Sequence, residues 1–191
     1  MRKLNARVRH AGFVMQELLI GLVIVDVLAG LGIFAYNSMR GDIAAEDQGN
    51  KLVAMVAEIQ KQWRQAQNYS TLTPTALSQL RAIEAPMRLN GTNLLDAWGN
   101  TMSVSGGTTS FALTVGGATA PISNDTCADL VTRLSTVADQ VRVGAAATVG
   151  SGATAGQITG GNFYKSGAAT TQTAMITGCN EASPVVAVMF R

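Results

Sequence analysis

The residues of this chain that could do chemistry are few and unevenly placed. Glu17 stands inside Phe13–Tyr36, a stretch in which only Gln16, Glu17 and Asp26 are strongly polar. At about 1.5 Å of rise per residue, a helix of this length crosses a bilayer. A carboxylate in hydrocarbon costs on the order of 2.5–3.5 kcal/mol even on the lenient insertion scales, so Glu17 calls for a partner. Asp26 cannot be that partner on the same helix, because it lies about 180° around the axis from Glu17. Cys127 and Cys179 are the only cysteines, and their separation rules out a CxxC redox pair. The single histidine, His10, sits close to the N-terminus, which leaves the rest of the chain without an imidazole for acid–base work or metal ligation. No phosphate-binding glycine loop is present: Gly106-Gly107, Gly116-Gly117 and Gly160-Gly161 read as turns. The serines have no identifiable base. The chain is therefore read as non-enzymatic, with no cofactor and no metal, and the chemistry left to explain is what partners Glu17.

The segment before the apolar stretch decides how it sits. Met1–Gly12 carries Arg2, Lys3, Arg7, Arg9 and His10 and no acid. A basic flank stays cytoplasmic, which places everything after Tyr36 on the far side of the membrane. Gly12-Phe13, followed four residues later by Glu17 and then by an unbroken apolar run, resembles the processing site of type IV pilins and their pseudopilin relatives. Gln16, where many relatives have a small hydroxyl or apolar residue, and Phe34, where many have a proline, depart from that pattern. The resemblance covers the first third of the chain. It implies that a prepilin peptidase cuts after Gly12 and methylates the new N-terminus at Phe13. Removal of the leader would take four of the 14 basic residues and leave ten against 12 acids, a net charge of −2. The alkaline pI of the whole chain is then no sign of a nucleic-acid partner. An ordinary secretory signal peptide cut near Ala35 is the competing reading, but the apolar run is long for one and holds both Glu17 and Asp26.

Within this resemblance Glu17 acquires a role. Cleavage creates an α-amino cation at Phe13, and in an apolar helix bundle a paired acid and amine cost far less than either alone. Glu17 of one subunit pairing with Phe13 of a neighbour would set the axial register of a helical homopolymer. The implied protein is a structural subunit of a type IV pilus serving adhesion, aggregation or conjugative contact. Its precursor would sit in the inner membrane with the head in the periplasm, and the assembled fibre would be extracellular. Its partners would be copies of itself, the prepilin peptidase and the pilus assembly machinery. A pseudopilin or minor pilin of a secretion machine, and a monomeric membrane-tethered periplasmic binding module, are the alternatives.

The expected fold is α+β. One long helix, Phe13 to about Asn68, is apolar all round in its first half and amphipathic in its second, with Leu52, Met55, Val56, Ile59 and Trp63 on one face. It packs against an antiparallel-rich β-sheet head with a second amphipathic helix. The expected division is leader 1–12, membrane and polymerisation half 13–38, and head 39–191. Thr73-Pro74 predicts a capped short helix to about Ala82, and the stretch around Asn90-Gly91 and Gly99-Asn100 reads as loop, with Trp98 as a packing anchor. The runs Thr101–Ser105 and Ser110–Val115 predict a hairpin. Asp125 or Thr126 is expected to cap an amphipathic helix from Cys127 to about Val143 with Leu130, Val131, Leu134, Val137 and Val141 on one side, Gly144–Gly161 reads as an exposed low-complexity loop, and Thr173–Thr177 and Pro184–Phe190 read as strands. A cysteine opening that helix and another beside a late strand resemble the disulfide-bounded region of type IVb major pilins, including those of conjugative thin pili. Both cysteines fall in the part expected outside the cytoplasm, so they are expected to form one disulfide, rather than two separate buried thiols.

Overall fold

The computed structural model describes residues 43–63, 66 and 68–191, with Val23 alone before them. The chain divides into two units, Met1–Arg40 and Gly41–Arg191, and the account below concerns the second. The expectations for the leader and for the apolar half of the long helix lie outside the described residues.

Helix α1, residues 43–63, buries Ala45, Gln48, Leu52, Met55, Val56 and Ile59, one stripe at helical spacing, and turns Glu46, Asp47 and Lys61 outward. The helix was expected to reach Asn68. That residue lies outside it, and its Oδ1 accepts the Ser70 amide at 2.9 Å, a local alternative to helical bonding that asparagine favours.

Helix α2, Pro74–Gln79, begins as expected, with Thr73 Oγ1 accepting the Ala76 amide at 3.1 Å and proline in the first turn. It ends on a Schellman motif: the Ala82 amide donates to Leu77 O and the Arg81 amide to Ser78 O. Arg81 occupies the left-handed position there at φ 55°, where glycine is usual. Beyond it, β1 (Arg88–Asn90), β2 (Asn93–Leu95) and β3 (Thr101–Met102) form a three-stranded antiparallel sheet in a region read from sequence as loop. Its strands are too short to show a period, yet the register aligns Leu89, Leu94 and Met102 in one row, and the last two are fully buried. Gly91 at φ 62° opens the two-residue turn between β1 and β2.

The main sheet has six antiparallel strands, in spatial order Ala169–Thr170 (β10), Asn162–Ser166 (β9), Gln140–Val143 (β6), Val185–Phe190 (β11), Phe111–Gly116 (β5) and Val104–Gly106 (β4). Its expected hairpin forms from β4 (Val104–Gly106) and β5 (Phe111–Gly116). Gly106 is obligatory at the bend, because a Cβ there would lie 1.7 Å from the Tyr69 carbonyl oxygen. The last strand of the chain, β11 (Val185–Phe190), also stands where the sequence put it, and it runs between β5 and β6.

Three expectations are corrected. The helix opening at the first cysteine is α3, Asn124–Ser135, capped by Ser123 and not by Asp125 or Thr126. It stops well short of Val143, since Gln140–Val143 is strand β6, in which Val141 and Val143 are buried and alternate with half-buried Gln140 and Arg142. That two-residue period outweighs a helical reading of the same valines, and Val137, expected on the buried side, is 41% exposed. The low-complexity segment is not simply an exposed loop. It contains β7 (Thr148–Val149), a 3₁₀ turn at Gly152–Thr154 and β8 (Ile158–Thr159), and it buries Ala147 and Ile158 with Ala112, Ala187 and Met189 on the outer sheet face. Finally, Thr173–Thr177 is not a strand but part of helix α4, Gln172–Cys179, in which half-buried Ala174 and Met175 recur four residues later as buried Gly178 and Cys179. Strands β9 (Asn162–Ser166) and β10 (Ala169–Thr170) complete the sheet.

Because a non-glycine residue at positive φ costs roughly 1 kcal/mol, Arg81→Gly is expected to raise the unfolding free energy by about 0.5–1 kcal/mol. Chemical denaturation of the purified chain measures it, and a destabilised variant would show that Arg81 makes a compensating contact within the head.

Candidate assembly site

Two of the sequence-derived site residues can be placed and three cannot. Gly12, Phe13 and Glu17 lie outside the described residues. Among the described residues, no helix is long and apolar enough to cross a membrane, and no group of histidine, cysteine, aspartate or glutamate side chains is arranged to hold a metal ion. Cys127 and Cys179 are bonded to each other, with Cα atoms 5.6 Å apart and both side chains buried. The bond joins the first turn of α3 to the end of α4. It thereby closes the whole region that holds β6 to β10.

What the head offers for assembly is its grip on α1. The stripe from Leu52 to Ile59 enters a single core with Leu77, Leu94, Phe111, Leu113, Leu130, Leu134, Val188 and Phe190. Phe111 stacks on Phe190 and lies against Tyr69, each with ring centroids 5.0 Å apart. Gln48 is wholly buried in the same face and is satisfied there: its Oε1 accepts the Ala97 amide at 2.9 Å. Gly49 lets α3 come close, since a Cβ there would meet Arg133 Cδ at 3.0 Å. Arg133 then joins the two helices, donating from Nε to Asp129 at 2.8 Å and reaching Glu46 at 3.8 Å. The hydrogen bond to Asp129 holds its guanidinium above the usual arginine range. The Lys51 ammonium, 2.6 Å from Glu84, is raised in the same way by its hydrogen bond to that carboxylate. Pairs this exposed set geometry more than stability.

Three polar residues that organise the head were not singled out from the sequence. Asp96 is 1% exposed, and its carboxylate accepts five hydrogen bonds: from the amides of Trp98, Gly99 and Asn100 at Oδ1, and from Asn100 Nδ2 and the Gly116 amide at Oδ2. Asn100 passes the connection on through paired bonds with the backbone of Ala120. One carboxylate therefore ties the three-stranded sheet to the end of β5 and to the loop leading into α3. The Asp-Ala-Trp-Gly-Asn string carries a turn signal, an aspartate able to accept amides a few residues on, but nothing in it announces burial. Lys165 reaches from β9 to cap α3, donating to the carbonyls of Ser135 at 2.5 Å and Ala138 at 2.7 Å. Arg142 lies 3.5 Å over the Phe163 ring and donates to Gly160 O, and burial pushes its guanidinium below the usual range. Trp98 is half-buried against the core, the packing place foreseen for it.

A long-helix face gripped by an antiparallel sheet and a disulfide-tied pair of helices can now be set beside known proteins. The family model described as PilS N terminal matches residues 43–187, most of the chain. The chain belongs to the PilS family of type IV pilins. In structure, the pilin is similar to TcpA, a type IV pilin from Vibrio cholerae El Tor biotype, with a TM-score of 0.50 and 19% sequence identity over 78% of this chain and 99% of that one. At that identity the likeness is one of fold. Among curated proteins none matches the pilin significantly in sequence. Type IV pilins are structural subunits and not enzymes, as the lack of a catalytic constellation led us to expect.

Two substitutions test how the head is held. Cys127→Ser is expected to lower the unfolding free energy by roughly 4 kcal/mol on the chain-entropy account of a loop this long, read by denaturation with and without reductant; equal curves for both proteins under oxidising conditions would sink it. Asp96→Ala removes the acceptor of five hydrogen bonds, three of them buried, and is expected to cost about 3–5 kcal/mol, which the same titration reports, and a loss under 1 kcal/mol would mean that water replaces the carboxylate.

Proposed function

We propose that this pilin is a structural subunit of a type IV pilus, made with a leader, Met1–Gly12, that prepilin peptidase removes. The observation that carries the reading is positional. The stretch Phe13–Tyr36, with Glu17 as its first acid, directly precedes the helix on which a pilin head is built. The precursor is held in the inner membrane by residues 13–38, with the head, 39–191, in the periplasm. Processing frees and methylates the Phe13 amine. Assembly machinery then packs the apolar helices of successive copies together, and the fibre emerges outside the cell for adhesion, aggregation or conjugative contact.

Glu17 supplies the register in this scheme. The acid of each subunit meets the Phe13 amine of a neighbour, and the apolar residues from Leu18 to Tyr36 supply burial. A mismatched register leaves both charges unpaired in an apolar bundle, so one alignment is selected. Phe13 is thus a processing residue and an assembly residue at once.

Intact-mass and N-terminal measurement of protein sheared from the cell surface tests the scheme. The expected chain begins at Phe13, carries one added methyl and lacks the two hydrogens of the dithiol. A chain beginning at Met1 supports a tethered binding module instead, and a chain found only in trace amounts in the fibres supports a minor pilin or pseudopilin. Glu17→Ala is expected to leave a processed, membrane-held subunit while cutting fibre yield by about tenfold or more, and abundant normal fibres from that variant would remove Glu17 from the mechanism.

A further inference from the structure

Most charged side chains of the head are already engaged within it. Lys51 holds Glu84, Lys61 holds Glu58, and Arg133 holds Asp129 and Glu46. Lys165 is spent on the end of α3, and Arg142 lies on Phe163. Arg81 and Arg88 are different. They bracket the segment between α2 and β1, both are exposed, and neither forms an ion pair with a described residue. Arg81 is also held at φ 55°, a backbone position that disfavours any residue with a Cβ. Within one head, the chain bears that cost without using the side chain.

The opposite sign collects elsewhere. Asp125, exposed in the first turn of α3, has no cation among the described residues. Asn124 Nδ2 donates to Asn180 Oδ1 at 2.6 Å, which brings Glu181 to the same corner. Glu181 accepts the Ala145 amide but has no cation either among the described residues. This corner stands where the disulfide joins α3 to α4. The sheet that carries Arg88 packs beside β5, whereas α3 and α4 pack over β6, β9 and β11, and no ion pair joins the two sets of charges among the described residues.

Opposite patches at different places on one chain are satisfied by a second copy in a head-to-tail contact, and such heterologous contacts propagate into filaments. Like corners repel, so the pairing sets orientation more than affinity. We propose that Arg81 and Arg88 of one pilin head face Asp125 and Glu181 of a neighbouring copy in the fibre. This contact rests on the polymer reading above and adds to it a charge register between heads.

Charge reversal in the full-length chain, expressed with its assembly machinery, tests the contact. The readout is the fraction of pilin recovered in sheared fibres, with intact mass confirming the disulfide and the processed N-terminus of each variant. The double variant Arg81→Glu, Arg88→Glu and the single variant Asp125→Lys are each expected to lower that fraction about tenfold, as like charges are brought together. Asp125→Asn, which keeps a hydrogen-bonding side chain in the first turn of α3, lowers it several-fold. Combining all three reversals in one chain restores it to within about threefold of the unaltered protein. The contact is overturned if the separate reversals assemble normally, or if the combined variant stays as depleted as they are; either result leaves the polymer reading standing. An unaltered chain that sheds no fibre overturns both.

Discussion

The constraint on which the head depends is the apolar stripe of α1. Residues from Ala45 to Ile59 present a face that would be unfavourable in water, and a single sheet strand or helix is too narrow to cover it. The chain answers with remote pieces: α2 and the three-stranded sheet from the segment after the helix, α3 from the middle, and β5 and β11 from opposite ends of the remaining sequence. Gln48 and Gly49 show how closely this cover is fitted. An amide in the stripe is satisfied by a loop amide at Ala97, and a missing side chain makes room for the stem of Arg133. The face of the sheet turned away from α1 is covered separately, by the uncharged segment that contains β7 and β8.

Apolar cover alone does not fix how these pieces are spaced, because hydrophobic contact is not directional. Direction comes from a small number of polar ties. Asp96 joins the small sheet to β5, Lys165 joins β9 to the end of α3, and the disulfide joins α3 to α4. Each links elements far apart in sequence, and each is buried or backed by backbone partners. The head is in this sense a set of layers with pinned corners.

These ties also explain which parts of the structure were legible in advance. The stripe of α1, the Thr73 cap, the β4–β5 hairpin and β11 each carry a complete local signal: a period, a capping oxygen, a glycine bend. The errors fall where a local signal was shared by two structures. Val137 and Val141 fit one side of a helix begun at Cys127, but Val141 and Val143 fit a strand better, and only the sheet register with β11 decides between them. Thr173–Thr177 is rich in strand formers yet must bring Cys179 back to α3, which a helical turn does. The Ala/Gly/Thr segment has too little hydrophobic contrast to show that Ile158 and Ala147 are buried. Asp96 and Lys165 were missed for a related reason: the Gly116 amide that ties Asp96 to β5 and the carbonyls that Lys165 caps are backbone groups 20 to 30 residues away and leave no trace in side-chain spacing. The residues read as doing the assembly chemistry, Phe13 and Glu17, lie outside the described residues, and their reading rests on local sequence alone, an acid within an apolar run.

The position of β11 links the fold to the manner in which such a subunit can be used. Strand β11 is not at an edge but between β5 and β6, and its Phe190 completes the aromatic stack on Phe111 above α1. Until Val185–Phe190 have inserted, β5 and β6 have no neighbour in common and the α1 stripe lacks part of its cover. Contacts between residues so distant in sequence also form slowly compared with local ones. A head of this topology is therefore finished only once β11 is available. For a protein whose N-terminal segment is proposed to mediate polymerisation, that order matters: the segment is made first, but the surface that must meet neighbouring heads exists only once β11 is in place. Membrane retention of the apolar segment, in the scheme proposed above, separates these two events in time and keeps helices from packing together before their heads are complete.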